Sequence, residues 1–119
     1  MEFSAYEQIP DSAQVAIYGT GAAGLGLKAR LARLRPDVEV ACFLDSRLEG
    51  TLDGLPVYSA SNIDQALARA GLILVASAWW REIVGTLSRL RIPDSAYLVL
   101  CPAPLAVTPE QPLEEEGAA

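Results

Sequence analysis

Gly19-Thr20-Gly21-Ala22-Ala23-Gly24 sets three glycines at i, i+2 and i+5, a spacing whose chemistry is the cradling of phosphate by backbone. Each glycine has a separate task. Gly19 permits a tight turn with positive φ, Gly21 lets backbone come within contact distance of a pyrophosphate, and Gly24 lets a helix lie close to a sheet. Free amides at the start of that helix would face the phosphates, helped by its dipole. The glycines would also serve a turn and close packing alone, with no ligand. A second group of interest is Asp45-Ser46-Arg47. Asp45 comes 21 residues after Gly24, where an acid that holds a ribose is expected. It would serve equally as a turn carboxylate. As a ribose ligand its charge would repel a 2′-phosphate and favour NAD over NADP, while Arg47 could bind that phosphate or stack on adenine.

These residues need a strand before the glycines, a helix after them and a second strand ending at Asp45. The chain supplies all three. Gln14 to Tyr18 is a short apolar run bounded by glycine and reads as a central strand. Over Ala22 to Leu34 the period becomes helical, with Ala23, Leu27, Leu31 and Leu34 on one face; Pro36 ends it. Val38 to Leu44 is the second strand, closed by Asp45. Ser46 to Gly54 reads as a loop, and Leu55 to Tyr58 as a brief strand whose Pro56 belongs on an edge. Ser61 and Asp64 make a capping-box-like start to a second helix, with Gly71 at its C-terminal cap. Leu72 to Ala76 is the next strand. Ser77 caps a third helix carrying Trp80, Ile83, Val84, Leu87 and Leu90 on one face, ended by Pro93. Ala96 to Leu100 is the fifth strand.

Alternation of strand and helix predicts an α/β domain of three layers, with five parallel strands in the order 3-2-1-4-5 and right-handed crossovers. Ligands would bind at the carboxyl ends of strands 1 and 4, the switch point of that order. Ala76 and Ser77 end the fourth strand there, so Ser77 could donate to a phosphate or ribose or act as a helix cap alone. Trp79 stands at the margin of the third helix's apolar arc. It could cover the ligand, form a subunit contact, or be partly buried.

Composition narrows the classes. The 119 residues suit one domain, 51% are apolar and 20% charged. Of the net charge of −6, four charges are Glu110, Glu114, Glu115 and Glu116, in a segment without Lys or Arg, which leaves the remainder at −2. No basic stripe suggests a nucleic-acid partner. The expected layout is an amino-terminal extension over 1–13, a nucleotide-binding domain over 14–101, and an acidic, Pro-rich tail over 102–119 with little order. Phe3, Tyr6 and Ile9 could pack as one loose turn of the extension. Met1-Glu2-Phe3-Ser4 has neither the basic start nor the apolar core of a signal peptide, and no apolar run could span a bilayer, so the expected compartment is the cytoplasm. Cys42 and Cys101 fall on strands three spacings apart, roughly 14 Å at about 4.8 Å each, too far for a disulfide.

Phe43-Leu44-Asp45, a loop with Gly50, and Gly54-Leu55-Pro56-Val57-Tyr58 complete a pattern that, with the glycine turn, resembles NAD- or CoA-binding Rossmann domains. These include the cofactor domain of Rex redox-sensing repressors and the CoA-binding domain of succinyl-CoA synthetases. The pattern is also similar to the amino-terminal domains of nucleotide-sugar dehydratases and related polysaccharide enzymes. The likeness runs from about Gln14 to Leu100. It implies phosphate contacts at Gly19, Thr20, Gly21, Ala22, Ala23 and Gly24, adenosine contacts at Asp45, Ser46 and Arg47, and site-lining by Ala76 and Ser77. No winged-helix segment precedes and no dehydratase domain follows in this sequence, which departs from those families.

Catalytic groups are scarce. The chain has no histidine, the commonest general base. Its sole lysine, Lys28, has no tyrosine four residues upstream, and two isolated cysteines make no metal set. The expectation is a binding module for NAD in sensing or regulation, without catalysis of its own. A cofactor-binding part of a nucleotide-sugar enzyme and a CoA-binding subunit stand as alternatives. A domain this small, with an apolar third helix and a fifth strand that could lie on the edge, often pairs with a copy of itself, and a catalytic domain outside this sequence is the other candidate partner; the sequence leaves the state and the surface open.

Overall fold

The computed structural model describes residues 6–100. At its centre is β1 (Gln14–Tyr18), whose Val15, Ala16, Ile17 and Tyr18 are fully buried. Tyr18 leads through the glycine turn into α1 (Ala22–Leu34), the range its period predicts. The chain returns as β2 (Glu39–Asp45), then forms β3 (Gly50–Leu52) and β4 (Leu55–Ser59). α2 (Ile63–Arg69), β5 (Leu72–Val75), α3 (Trp80–Arg89) and β6 (Tyr97–Val99) follow.

The sheet corrects the expectation of five parallel strands in the order 3-2-1-4-5. Among the described residues it has six strands, it is mixed, and its order is β3-β4-β2-β1-β5-β6. β1 runs parallel to β2 and β5, β2 to β4, and β5 to β6; β3 and β4 pair antiparallel. The segment read as a loop therefore holds an edge strand, and the Pro56 strand lies inside that edge. Asp53 and Gly54 both have positive φ, +53° and +80°, the signature of the two-residue turn that matches strand twist. The Leu52-Asp53-Gly54-Leu55 run was the local signal for this hairpin. Pro56 is tolerated because the parallel ladder with β2 begins only at Val57.

Alternation along β1 divides the core in two. Val15 and Ile17 pack with Leu27 and Leu31 of α1, Phe43, Leu74 and the amino-terminal Ile9. Ala16 and Tyr18 pack on the other face with Ile63 and Ala66 of α2 and Ile83 and Leu87 of α3. In β2 the register slips by one residue: Val15 pairs with Val40 but Ala16 with Cys42, leaving Ala41 as a bulge. The slip exchanges the two faces for every residue after it, so Phe43 points to the α1 side and Leu44 to the α2 and α3 side.

Several helix ends differ from expectation. Neither Ser61 nor Asp64 caps α2; Asn62 precedes it without a side-chain bond, and Ser61 Oγ pairs with Ser59 Oγ at 2.9 Å. Gly71 is not a cap, since Ala70 is already extended and the Gly71 amide donates to the Gln14 carbonyl as β5 begins. Leu34 and Leu90, the last residues of their apolar stripes, are substantially exposed. α3 closes with the Ile92 amide on the Leu87 carbonyl and the Arg91 amide on that of Ser88. This motif wants glycine at the left-handed position, and Arg91 occupies it at φ +65°. Arg91→Gly is expected to raise stability by about 0.5–1 kcal/mol, read as a higher denaturant midpoint at unchanged slope.

Arg35 ties the amino-terminal segment down. Its guanidinium donates to the carbonyls of Tyr6, Ile9 and Pro10 and makes a two-pronged contact with Asp37. Asp37 also accepts from the Ser12 amide. The Arg35 guanidinium and that amide hold Asp37 well below the usual carboxylate range. Asn62 and Ser59 likewise lower Glu49. A carboxylate lowered by folding contributes stability that is complete above its unfolded value, about 4, and is lost as pH falls through the folded value. Unfolding midpoints should therefore decline with acidification below about pH 4, and Asp37→Asn should flatten that decline. An acid limb identical in wild type and variant would remove Asp37 from this role.

Cys42 is buried and unpaired. Phe3, Cys101 and the 102–119 tail lie outside the described residues. Among the described residues no helix is long and apolar enough to cross a membrane.

Candidate functional site

The glycine turn opens at the carboxyl end of β1, next to the ends of β2 and β5. Gly19 holds φ at +140°, and a Cβ there would lie 2.2 Å from the Ala76 carbonyl oxygen. The turn thus rests directly on the end of β5. A Cβ on Gly24 would lie 2.0 Å from the Gly19 carbonyl oxygen. Only hydrogen at both positions lets β1, α1 and β5 converge.

Gly21 is the residue before α1, in ordinary extended backbone at φ −88° and ψ −160°, with no side-chain cap. The first helical hydrogen bond here runs from the Leu25 amide to the Gly21 carbonyl. The amides from Thr20 to Gly24 have no acceptor among the described residues. Donors at a helix start require a partner from outside the helix, and the helix dipole makes an anion the preferred one.

Asp45 ends β2 and faces the turn. Its Oδ1 accepts from Thr20 Oγ1 at 2.8 Å, and its Oδ2 accepts from the Arg47 and Leu48 amides at 2.9 and 2.8 Å. Burial pushes the carboxyl up, and the Leu48, Arg47 and Thr20 bonds outweigh it, so the group sits below its ordinary value. A carboxylate offers about four acceptor positions. Three of Asp45's are used, which leaves one on Oδ1 for an incoming hydroxyl.

A cleft of about 240 Å³ lies between the end of β2 and the start of α3, lined by Tyr18, Gly19, Asp45, Ser46, Arg47, Ser77, Trp79, Glu82 and Ile83. Larger hollows elsewhere, one of about 420 Å³ at the amino ends of the strands beside Ser12 and Asp37, lie away from the turn. Beneath the cleft the buried Tyr18 hydroxyl is 3.1 Å from Ser46 Oγ. Burial, partly offset by that bond, raises the phenol above its ordinary value, so it remains a neutral donor. Ser77 is buried, and its Oγ accepts the Trp79 amide at 3.0 Å, which orders the approach to α3. Trp79 is 50% exposed.

The structure thus gathers Gly19, Asp45, Ser46, Arg47, Ser77 and Trp79 around one cleft, with Thr20 bound to Asp45. Ala22, Ala23 and Gly24 form the first turn of α1, and Ala76 is buried under Gly19; these four do not line the cleft. Tyr18, Glu82 and Ile83 were not anticipated. Tyr18 had a signal, because a tyrosine as the last residue of a buried strand directs its polar tip to the strand end. Glu82 had only its place in the first turn of α3.

No protein-family model matches the sequence, and no curated protein is significantly similar to it. Among solved structures the chain is similar to UDP-D-quinovosamine 4-dehydrogenase from Vibrio fischeri, with a TM-score of 0.60 and 21% identity over 82% of this chain and 85% of that one. At that identity the likeness concerns the fold: an α/β domain of Rossmann type with a mostly parallel sheet.

Proposed function

We propose that this chain is a nucleotide-binding module that holds NAD(H) for sensing or regulation, without a chemical step of its own. The observation that supports it most is the turn from Thr20 to Gly24, whose amides lack protein acceptors at the head of α1. Phosphates would sit against these amides. A ribose hydroxyl would take the remaining position on Asp45, and the cleft beside it would receive one nucleoside. Its volume, about 240 Å³, is below the roughly 300–1,000 Å³ of sites that enclose a drug-sized ligand. A whole dinucleotide would therefore extend beyond it.

The likeness to a UDP-sugar dehydrogenase favours a second reading, in which the chain is the cofactor-binding part of a nucleotide-sugar enzyme. Reacting groups would then come from elsewhere. This chain has no histidine, and its sole lysine is ion-paired with Asp53 at 2.8 Å on the hairpin side of α1.

Thermal unfolding with NAD, NADH, NADP, CoA and UDP-sugars separates the readings. A ligand at 100 times its Kd stabilises by about 2.7 kcal/mol, which for a domain of this size raises Tm by about 10 °C. A response to NAD(H) without UDP-sugars supports the first reading, and a response to UDP-sugars, with or without NAD(H), the second. No response to any member of the panel would defeat both.

A further inference from the structure

Two carboxylates line the cleft, and they are not equivalent. Asp45 is mostly spent on Thr20 and on the Arg47 and Leu48 amides. Glu82 is exposed, lies on the opposite wall in the first turn of α3, and has no side-chain partner among the described residues. The other polar groups on the walls are the hydroxyls of Tyr18, Ser46 and Ser77 and the Arg47 guanidinium, and Trp79 adds an exposed ring. Hydroxyl groups, one aromatic face and an unpaired carboxylate suit the sugar and ring of a nucleoside. Against a phosphate ester stand the two carboxylates, which outnumber Arg47, the cation on these walls.

We infer, resting on the nucleotide reading above, that Glu82 determines the specificity of the cleft: it accepts the hydroxyls of an unphosphorylated ribose and rejects a phosphate on that sugar. Its negative charge is what discriminates. A hydroxyl donating to an ionised acceptor forms one of the stronger hydrogen bonds, whereas a phosphate brought into so small a cleft meets Glu82 at a few ångströms, where like charges repel even in a largely aqueous setting. Among the described residues Arg47 is the single cation on the walls, against Asp45 and Glu82. A glutamate in the first turn of a helix also complements the dipole, and that role would move stability without moving ligand preference.

The experiment is titration calorimetry of the full chain with NAD and with NADP, for wild type, Glu82→Gln, Glu82→Arg and Asp45→Asn, with Tm recorded for each. Wild type should prefer NAD by about tenfold or more, Glu82→Gln should bring the ratio to within about threefold of unity, and Glu82→Arg should invert it. The Tm of both Glu82 variants should stay close to wild type, because the side chain is exposed and unpaired. NAD binding with the same ratio in both Glu82 variants overturns the inference and leaves the nucleotide reading standing. Collapse of the ratio in Asp45→Asn but not in Glu82→Gln also overturns it. Failure of wild type to bind either dinucleotide removes both.

Discussion

Gly24→Ala is expected to destabilise the fold by about 3 kcal/mol or more, a large share of the roughly 5–15 kcal/mol typical of a domain. The added methyl would lie 2.0 Å from the Gly19 carbonyl oxygen and 2.8 Å from its carbon. Ordinary contacts fall at about 3.5–4.0 Å, so more than 1 Å of separation must be found. Both contact atoms are backbone and cannot swing aside. α1 would have to lift from β1, opening the packing of Leu27 and Leu31 against Val15 and Ile17. Gly19→Ala should be similarly severe, since it combines a φ of +140° with a 2.2 Å approach to the Ala76 carbonyl. Gly26→Ala, two residues further along the same helix, is the control. Its new methyl would meet only the end of the flexible Arg30 side chain, at 3.3 Å, and replacing a helix-interior glycine stabilises by about 0.5–1 kcal/mol. Thermal melts should put Gly24→Ala at least about 10 °C below wild type and Gly26→Ala slightly above it. A Gly24→Ala protein melting within about 2 °C of wild type would show that α1 is free to shift and is not held in close contact with the Gly19 carbonyl.

Gly21→Val is expected to leave the fold and remove the ligand. Gly21 adopts an extended conformation open to any L-residue, so valine there should cost no more than about 1 kcal/mol as a poorer residue at the helix start. Its side chain would nevertheless stand at the mouth of the turn, where phosphate oxygens must reach the amides from Thr20 to Gly24. NAD affinity by titration calorimetry should fall at least about 100-fold, equivalent to about 2.7 kcal/mol, with a circular dichroism spectrum like wild type. Affinity within about threefold of wild type would remove the amides from ligand contact. Gly24 and Gly21 thus separate two demands that one motif combines: close packing of the helix and open approach for an anion.

Local signals carried much of the architecture. A strand ending in glycine, followed by three apolar turns at helical spacing, is legible because both periods belong to contiguous residues. Asp45 was legible as the residue ending β2 by the same logic. The β3–β4 hairpin is legible too, in Asp53-Gly54, although the polar residues before it have the composition of a loop. The capping role expected of Ser61 failed for a different reason: Ser59 lies within reach and captures its hydroxyl, and a spacing rule does not register that competition.

The site itself depended on contacts between segments far apart in the chain. Sequence alone determined that a glycine turn would join the first strand to the first helix and that an acid would end the second strand. Only the tertiary structure decided which way that acid points. The Ala41 bulge exchanges the faces of β2, so that Leu44 points toward α2 and α3 and Asp45, next in the alternation, turns to Thr20. Pairing register arises from hydrogen bonds between two strands, and because β2 carries apolar residues on both faces, an extra residue in it leaves no trace in the hydrophobic pattern. The same holds for Tyr18 under Ser46, for Arg35 clamping residues 25–29 positions away, and for Glu82 across from Asp45. Each brings into one place residues whose local sequences are silent about one another.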